Sequence, residues 1–160
     1  MLRSAVSLAV SRRSRPSEIL LVERSRKLRF FGGFHAFPGG AVDDEDGNVP
    51  VEGVSDPALA PILAAGAREL FEETGLWIAR GETPEANELR EDRRRLIAGE
   101  VSFSTILARH RQRLEARDLE PLCRMTTPEF QTVRFDTQFL RAFVPDEAAL
   151  EIWDGELVAG

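Results

Sequence analysis

The sequence predicts a layered α/β fold of the α+β kind, formed by one domain. Three observations carry this. Short runs of alternating apolar residues are interspersed with longer runs at helical spacing. A length of 160 residues suits one core. The composition, 42% hydrophobic and 30% charged, is too apolar for a disordered chain.

The elements follow in order. Ala5–Val10 reads as a first strand. Met1–Arg15 contains Ser and Arg and no acid, a little like a targeting peptide, but its apolar stretch is short and the strand reading is the better one. Ser11–Ser17, with Pro16, is a turn, and Glu18–Arg24 is a second strand completing a hairpin. Residues 32–40 are punctuated by glycine and allow close backbone approach. Residues 41–60 read as a solvated acidic loop. An EF-hand fails there: with Gly47 in the sixth position, Val42 and Gly53 would fall at the first and last ligand positions.

A helix begins near Asp56, with Asp56 or Ser55 as N-cap, Pro57 in the first turn and the regular part starting at Pro61. Leu63, Ala67, Leu70 and Phe71 form its apolar stripe, and Gly75 ends it. Leu76–Ala79 starts a strand. Glu88–Ile97 and Phe103–Ala116 are helices, with Asp92–Arg95 and His110–Arg113 as solvated faces. Leu122–Met125 is a short strand, Pro128 breaks the chain, Val133–Phe143 alternates as a strand, and Glu151–Val158 begins another.

Composition narrows the function. There are 21 Lys+Arg against 27 Asp+Glu, a net charge of -6, which argues against a nucleic-acid partner and suits a protein that holds cations. One Cys and two His exclude an internal disulfide and leave little for zinc. No apolar run approaches the roughly 18 residues of a membrane span. The expected setting is reducing and aqueous, the cytoplasm, with oxygen ligands and no membrane partner.

The chemistry concentrates in Arg68-Glu69-Leu70-Phe71-Glu72-Glu73-Thr74-Gly75-Leu76. Helical spacing puts Glu69 beside both Glu72 and Glu73. Three carboxylates on one patch repel unless a cation neutralises them, and oxygen-only donors suit Mg2+ or Mn2+. Arg68, four residues before Glu72, can orient a carboxylate. An ordinary charged helix face is the plainer alternative.

This segment resembles the Nudix box: Gly, five residues, Glu, seven residues, then Arg-Glu-hydrophobic-any-Glu-Glu-any-Gly-hydrophobic. Every specified position of the second half is present from Arg68 to Leu76, and Phe37-Pro38-Gly39-Gly40 is the usual entry. The resemblance implies an α/β/α sandwich with a mixed sheet and a hydrolase of nucleoside diphosphate derivatives. It implies metal at Glu69, Glu72 and Glu73 with the Gly40 carbonyl nearby, and a catalytic set of Arg68, Glu69 and Glu72, in which Arg68 is support and Glu69 or Glu72 a candidate base. Glu151 and Glu156 are further candidates for the base. Two departures stand out. The box is lengthened by about 14 residues, an insertion at about 41–58, and Asp46 occupies the position of the first box Glu.

Upstream, Leu20-Leu21-Val22-Glu23-Arg24-Ser25, Arg29, Gly33 and Phe37–Gly40 resemble the signature of the coenzyme A diphosphatase branch, with Val22 where Thr is usual. Thr127-Pro128 and Arg134–Thr137 look like the branch containing the peroxisomal CoA diphosphatase. The resemblance implies a CoA-like small-molecule substrate contacted by Arg24, Arg29 and Phe37, with Phe30, Phe31 and Phe34 covering adenine or the pantetheine arm. The plainer alternative pairs these arginines with surface acids and buries the Phe rings. ADP-ribose, nucleotide sugars or dinucleotides are alternative substrates, and a non-catalytic nucleotide-binding module is the alternative of another class. The family continues past the region of Glu151–Val158 into a further strand and helix, so either a C-terminal segment is missing or a homodimer completes the layer.

Overall fold

The structure is a computed structural model that describes residues 2–27, 32–82 and 84–160. Its central sheet is mixed. β1 (Leu2–Arg12) pairs in parallel with β7 (Arg134–Val144), and β6 (Leu119–Thr126) lies antiparallel on the far side of β7. Residues 38–42 run along the free edge of β1: the Val6 and Leu8 amides donate to the Gly40 and Pro38 carbonyls at 2.9 and 2.8 Å, and Val42 donates to Ser4 at 3.0 Å. A second small sheet joins β3 (His35–Ala36), β2 (Val22–Arg24) and β8 (Leu157–Ala159). β4 (Val51–Glu52) pairs with β5 (Leu114–Glu115).

Helix α1 (Ala60–Thr74) packs on one face of the central sheet. Asp56 caps the preceding 3-10 turn by accepting the Ala58 amide at 3.0 Å, and Gly75, at φ 72°, closes the helix on the Phe71 carbonyl. Buried Leu63, Ala67, Leu70 and Phe71 meet Val6, Leu8, Leu140 and Ala142. At Gly66 a Cβ would stand 3.0 Å from the Leu140 side chain, so the small residues of this helix allow it to lie close to the sheet. Phe71, Trp77 and Phe103 extend the core toward α2 (Ala86–Ile97) and α3 (Phe103–Arg109), with Phe71 and Trp77 centroids 4.8 Å apart.

Several sequence expectations are corrected. The β1–β2 hairpin does not form, because residues 38–42 already occupy that edge of β1, and only the Leu20 amide reaches it, at the Val10 carbonyl. The acidic loop is not merely solvated: Asp44–Asn48 is a 3-10 turn that buries Asp46. Leu76–Ala79 forms no strand, and the helix expected to reach Ala116 stops at Arg109. Arg111 there takes a positive φ of 53°, which turns the chain so that Leu114 is buried beside Val51. Asp92 is buried as well, held by Arg109 at 2.7 Å and His110 Nε2 at 2.6 Å. Of Glu151–Val158, only the last two residues enter a strand. Among the described residues, no helix is long and apolar enough to cross a membrane.

Candidate active site

Arg68 organises the site. Its Nε and one terminal nitrogen donate to the two Asp46 oxygens at 2.9 and 3.0 Å, the forked arrangement that a guanidinium makes best. The other terminal nitrogen donates to Glu69 Oε1 at 2.9 Å and Glu72 Oε1 at 3.5 Å, and the Ala41 carbonyl accepts a further bond at 2.9 Å. Burial alone would lower the Arg68 pKa, but bonding to Asp46 and the charges of Glu69, Asp46 and Glu72 outweigh it and raise it. The Asp that replaces the first box Glu is thus the principal partner of Arg68. The cue in the sequence is its place six positions after Gly40.

The Gly-rich entry supplies the other wall. Gly39 has φ 146°, and a Cβ there would stand 2.2 Å from the Val6 carbonyl oxygen, so a side chain is sterically excluded. Its amide donates to Glu73 Oε2 at 2.9 Å. A Cβ on Gly40 would fall 2.5 Å from Glu69 Oε1, so the bare backbone at this position lies against that carboxyl group. The Gly40 carbonyl accepts the Val6 amide and retains a second lone pair.

Burial dominates the acid–base character. It pushes Glu69 up to about 7, opposed by Arg68, and Glu73 up to about 8, opposed by the Gly39 amide. It raises Glu72 too, again opposed by Arg68. Glu73 also feels Glu69 and Glu156, which raise its pKa, and Arg24, which lowers it. Glu156 therefore lies in the electrostatic neighbourhood of Glu73, whereas Glu151 is bonded to Arg90 at 2.7 Å on the outer side of α2.

The chemistry of this donor set fits a hard divalent cation. It is all oxygen, it is largely withdrawn from solvent, and the Arg68 guanidinium faces four carboxyl groups, those of Asp43, Asp46, Glu69 and Glu72. Each glutamate commits one oxygen to the bonds above and leaves the other uncommitted among the described residues. No group of three or more His, Cys, Asp or Glu is drawn together as a cage among the described residues.

A consequence can be measured. Carboxyl groups raised from about 4.5 to 7 or 8 bind more protons in the folded than in the unfolded chain across that interval. Metal-free protein is therefore expected to lose stability as pH rises from 5 to 8. Mg2+ or Mn2+ competes with those protons, so it should raise Tm by several degrees at pH 8 and hardly at all at pH 5. Equal shifts at the two pH values, followed by differential scanning fluorimetry, would place the ion elsewhere.

The remaining candidate residues divide. Arg24, on β2, is near enough to Glu73 for its charge to lower the pKa of that carboxyl group. Phe37 packs edge-on against Phe139, with centroids 6.4 Å apart. Phe34 is largely exposed. Arg29, Phe30 and Phe31 lie outside the described residues. Sequence reasoning missed the supports behind the helix. Arg93 donates twice to the Glu72 carbonyl, at 3.1 and 2.8 Å, and the Trp153 and Glu151 amides bond the Glu73 and Thr74 carbonyls at 2.9 Å. These contacts satisfy the C-terminal carbonyls of α1 and fix the turn that carries the glutamates. No sequence spacing signals them.

Comparison with known proteins agrees with this geometry. No family model matches the chain. It is 40% identical over 74 residues to NudL of Citrobacter koseri, named an uncharacterized Nudix hydrolase, and 39% identical over 74 residues to NudL of Escherichia coli O1:K1 / APEC. Each match covers 46% of this chain and 31% of the relative, so the chain matches less than a third of the length of these curated relatives. A crystal structure of a Nudix hydrolase from Alicyclobacillus acidocaldarius superposes with TM-score 0.84 at 29% identity, covering 99% of this chain and 77% of that one. The MutT Nudix hydrolase of Burkholderia pseudomallei, at TM-score 0.56 and 16% identity over 99% of this chain and 80% of that one, shares the fold. With the box residues gathered around Arg68 and the mixed sheet flanked by helix, the chain has the fold of these Nudix hydrolases and is similar to them in sequence.

Proposed function

We propose that the chain is a Mg2+- or Mn2+-dependent pyrophosphatase that hydrolyses the diphosphate of coenzyme A or an acyl-CoA to 4′-phosphopantetheine, or its acylated form, and adenosine 3′,5′-bisphosphate. The observation that carries the reading is a row of three glutamates on one helix, Glu73 buried and bonded to the Gly39 amide, Glu69 and Glu72 half-buried and bonded to Arg68, beside a bare glycine backbone. The CoA assignment is supported by the upstream run from Leu20 to Gly40, whose Arg24 is near enough to Glu73 to lower its pKa.

In this mechanism water attacks one phosphorus in line, the bond to the bridging oxygen breaks, and the bridging oxygen leaves with the other phosphate. Glu69 or Glu72 takes the proton of the attacking water; burial leaves both carboxyl groups more basic than usual. Glu69, Glu72, Glu73 and the Gly40 carbonyl would hold the divalent ion, which would supply Lewis-acid stabilisation of phosphoryl charge and acidify water. Arg68 stays charged and keeps the carboxylates in place. Arg24 offers a fork to phosphate oxygens on the Glu73 side.

The test is a panel of CoA, acetyl-CoA, ADP-ribose, nucleotide sugars and dinucleotides, with either metal and mass spectrometry of products. Adenosine 3′,5′-bisphosphate and 4′-phosphopantetheine should appear from CoA, with the highest kcat/KM of the panel. Cleavage at another bond, or faster turnover of ADP-ribose, rejects the assignment. Binding without turnover of any compound favours the non-catalytic module.

A further inference from the structure

We infer that the cavity beside Glu72 receives the half of the substrate that carries no phosphate beyond the scissile diphosphate, as a long, uncharged, hydrogen-bonding arm. The inference rests on the reading of the chain as a diphosphate hydrolase, and it adds an orientation and a substrate class.

Beside Glu72 opens a cavity of about 490 Å³, within the roughly 300–1,000 Å³ range of small-molecule sites. The insertion in the box builds one wall of it, from Asp43 to Val49, and residues Gly99–Ser104, which lead from α2 into the first turn of α3, build the other. Five carboxyl groups line it, those of Asp43, Glu45, Asp46, Glu72 and Glu100. The single guanidinium there, Arg68, is already committed to Asp46, Glu69 and Glu72.

A phosphate entering this space would meet like charges without a free cationic partner. An arm bearing amide N–H and hydroxyl groups meets the reverse situation. The carboxylates accept its hydrogen bonds, Ser104 offers a hydroxyl, and Val49, Leu96 and Phe103 supply apolar surface for its methylenes. The insertion is thus a specificity wall: it admits a neutral arm longer than a sugar and turns away a second phosphorylated group.

The test fills the cavity from its Gly99–Ser104 wall. Val101→Trp and Ser104→Trp are assayed on CoA and on the methyl ester of 3′-phospho-ADP, which keeps the nucleotide and diphosphate but lacks the arm. KM for CoA should rise about tenfold or more, equivalent to about 1.4 kcal/mol, with kcat within about twofold and the methyl ester unaffected. Equal loss on both substrates, or no effect of either variant on CoA, overturns the inference. So does preference for an amine-terminated arm over pantetheine. If wild-type protein hydrolyses neither substrate, the hydrolase reading fails separately, and pantetheine binding decides the cavity. Amide resonances of Val101 and Ser104 should then shift on titration with pantetheine in the wild type and not in the Trp variants. Unmoved wild-type resonances overturn the inference.

Discussion

Glu73→Gln and Glu72→Gln are each expected to lower kcat/KM on CoA by about 10²–10³-fold, the range seen when one preorganised group that stabilises transition-state charge is lost. The two should differ in their causes. At Glu73 the amide can still accept the Gly39 N–H, so the loop that places Gly40 should remain and the loss should report missing charge. At Glu72 the substitution also weakens a contact to Arg68, although the 3.5 Å separation makes that a minor part. The Gln side chain is close in shape to Glu, so neither variant should lose stability at pH 8. Glu73→Gln should gain some, because a carboxyl pushed up to about 8 by burial is replaced by a group that needs no proton. Mass spectrometry of products with a parallel unfolding titration separates the effects. Full activity in both variants would remove the proposed metal site.

What was legible in the sequence was mostly local. α1 announces itself through Asp56, its apolar stripe and Gly75, and the closeness of Glu69, Glu72 and Glu73 follows from helical spacing. β1 and β7 alternate clearly, but alternation says nothing about the partner. β1 accepts a parallel strand more than a hundred residues away in place of the nearby run at Glu18–Arg24. The charged stretches misled for the same reason. Asp46 and Asp92 sit in hydrophilic runs, and each is buried because an arginine from another element reaches it. An acidic loop with several candidate carboxylates does not reveal which one will meet Arg68. The box register singled out Asp46; only the folded 3-10 turn brings its side chain inward.

That pairing carries the second large expected effect. Arg68→Ala would leave Asp46, whose side chain is 2% exposed, without its forked partner, and Glu69 and Glu72 without the one cation bonded to them among the described residues. Removing one member of a buried ion pair costs about 3–5 kcal/mol, since the remaining charge stays desolvated. The full cost should appear in metal-free buffer at pH 8, where the glutamates are least protonated. Millimolar Mg2+ should recover part of it, because a cation among Glu69, Glu72 and Glu73 offsets the same excess charge that Arg68 does. Asp46 lies behind Arg68, bonded on its far side, so its share should stay lost. Asp46→Asn is the control: it removes the buried charge, keeps one acceptor for Arg68, and should cost about 1–3 kcal/mol with little response to Mg2+. Arg68→Lys keeps a charge but cannot grip both Asp46 oxygens and Glu69 together, so it should restore stability more fully than activity. Urea unfolding of the three variants with and without Mg2+ decides the matter. Wild-type stability of Arg68→Ala in metal-free buffer would mean that the Asp46 fork is incidental to the fold and that the glutamates need no restraint.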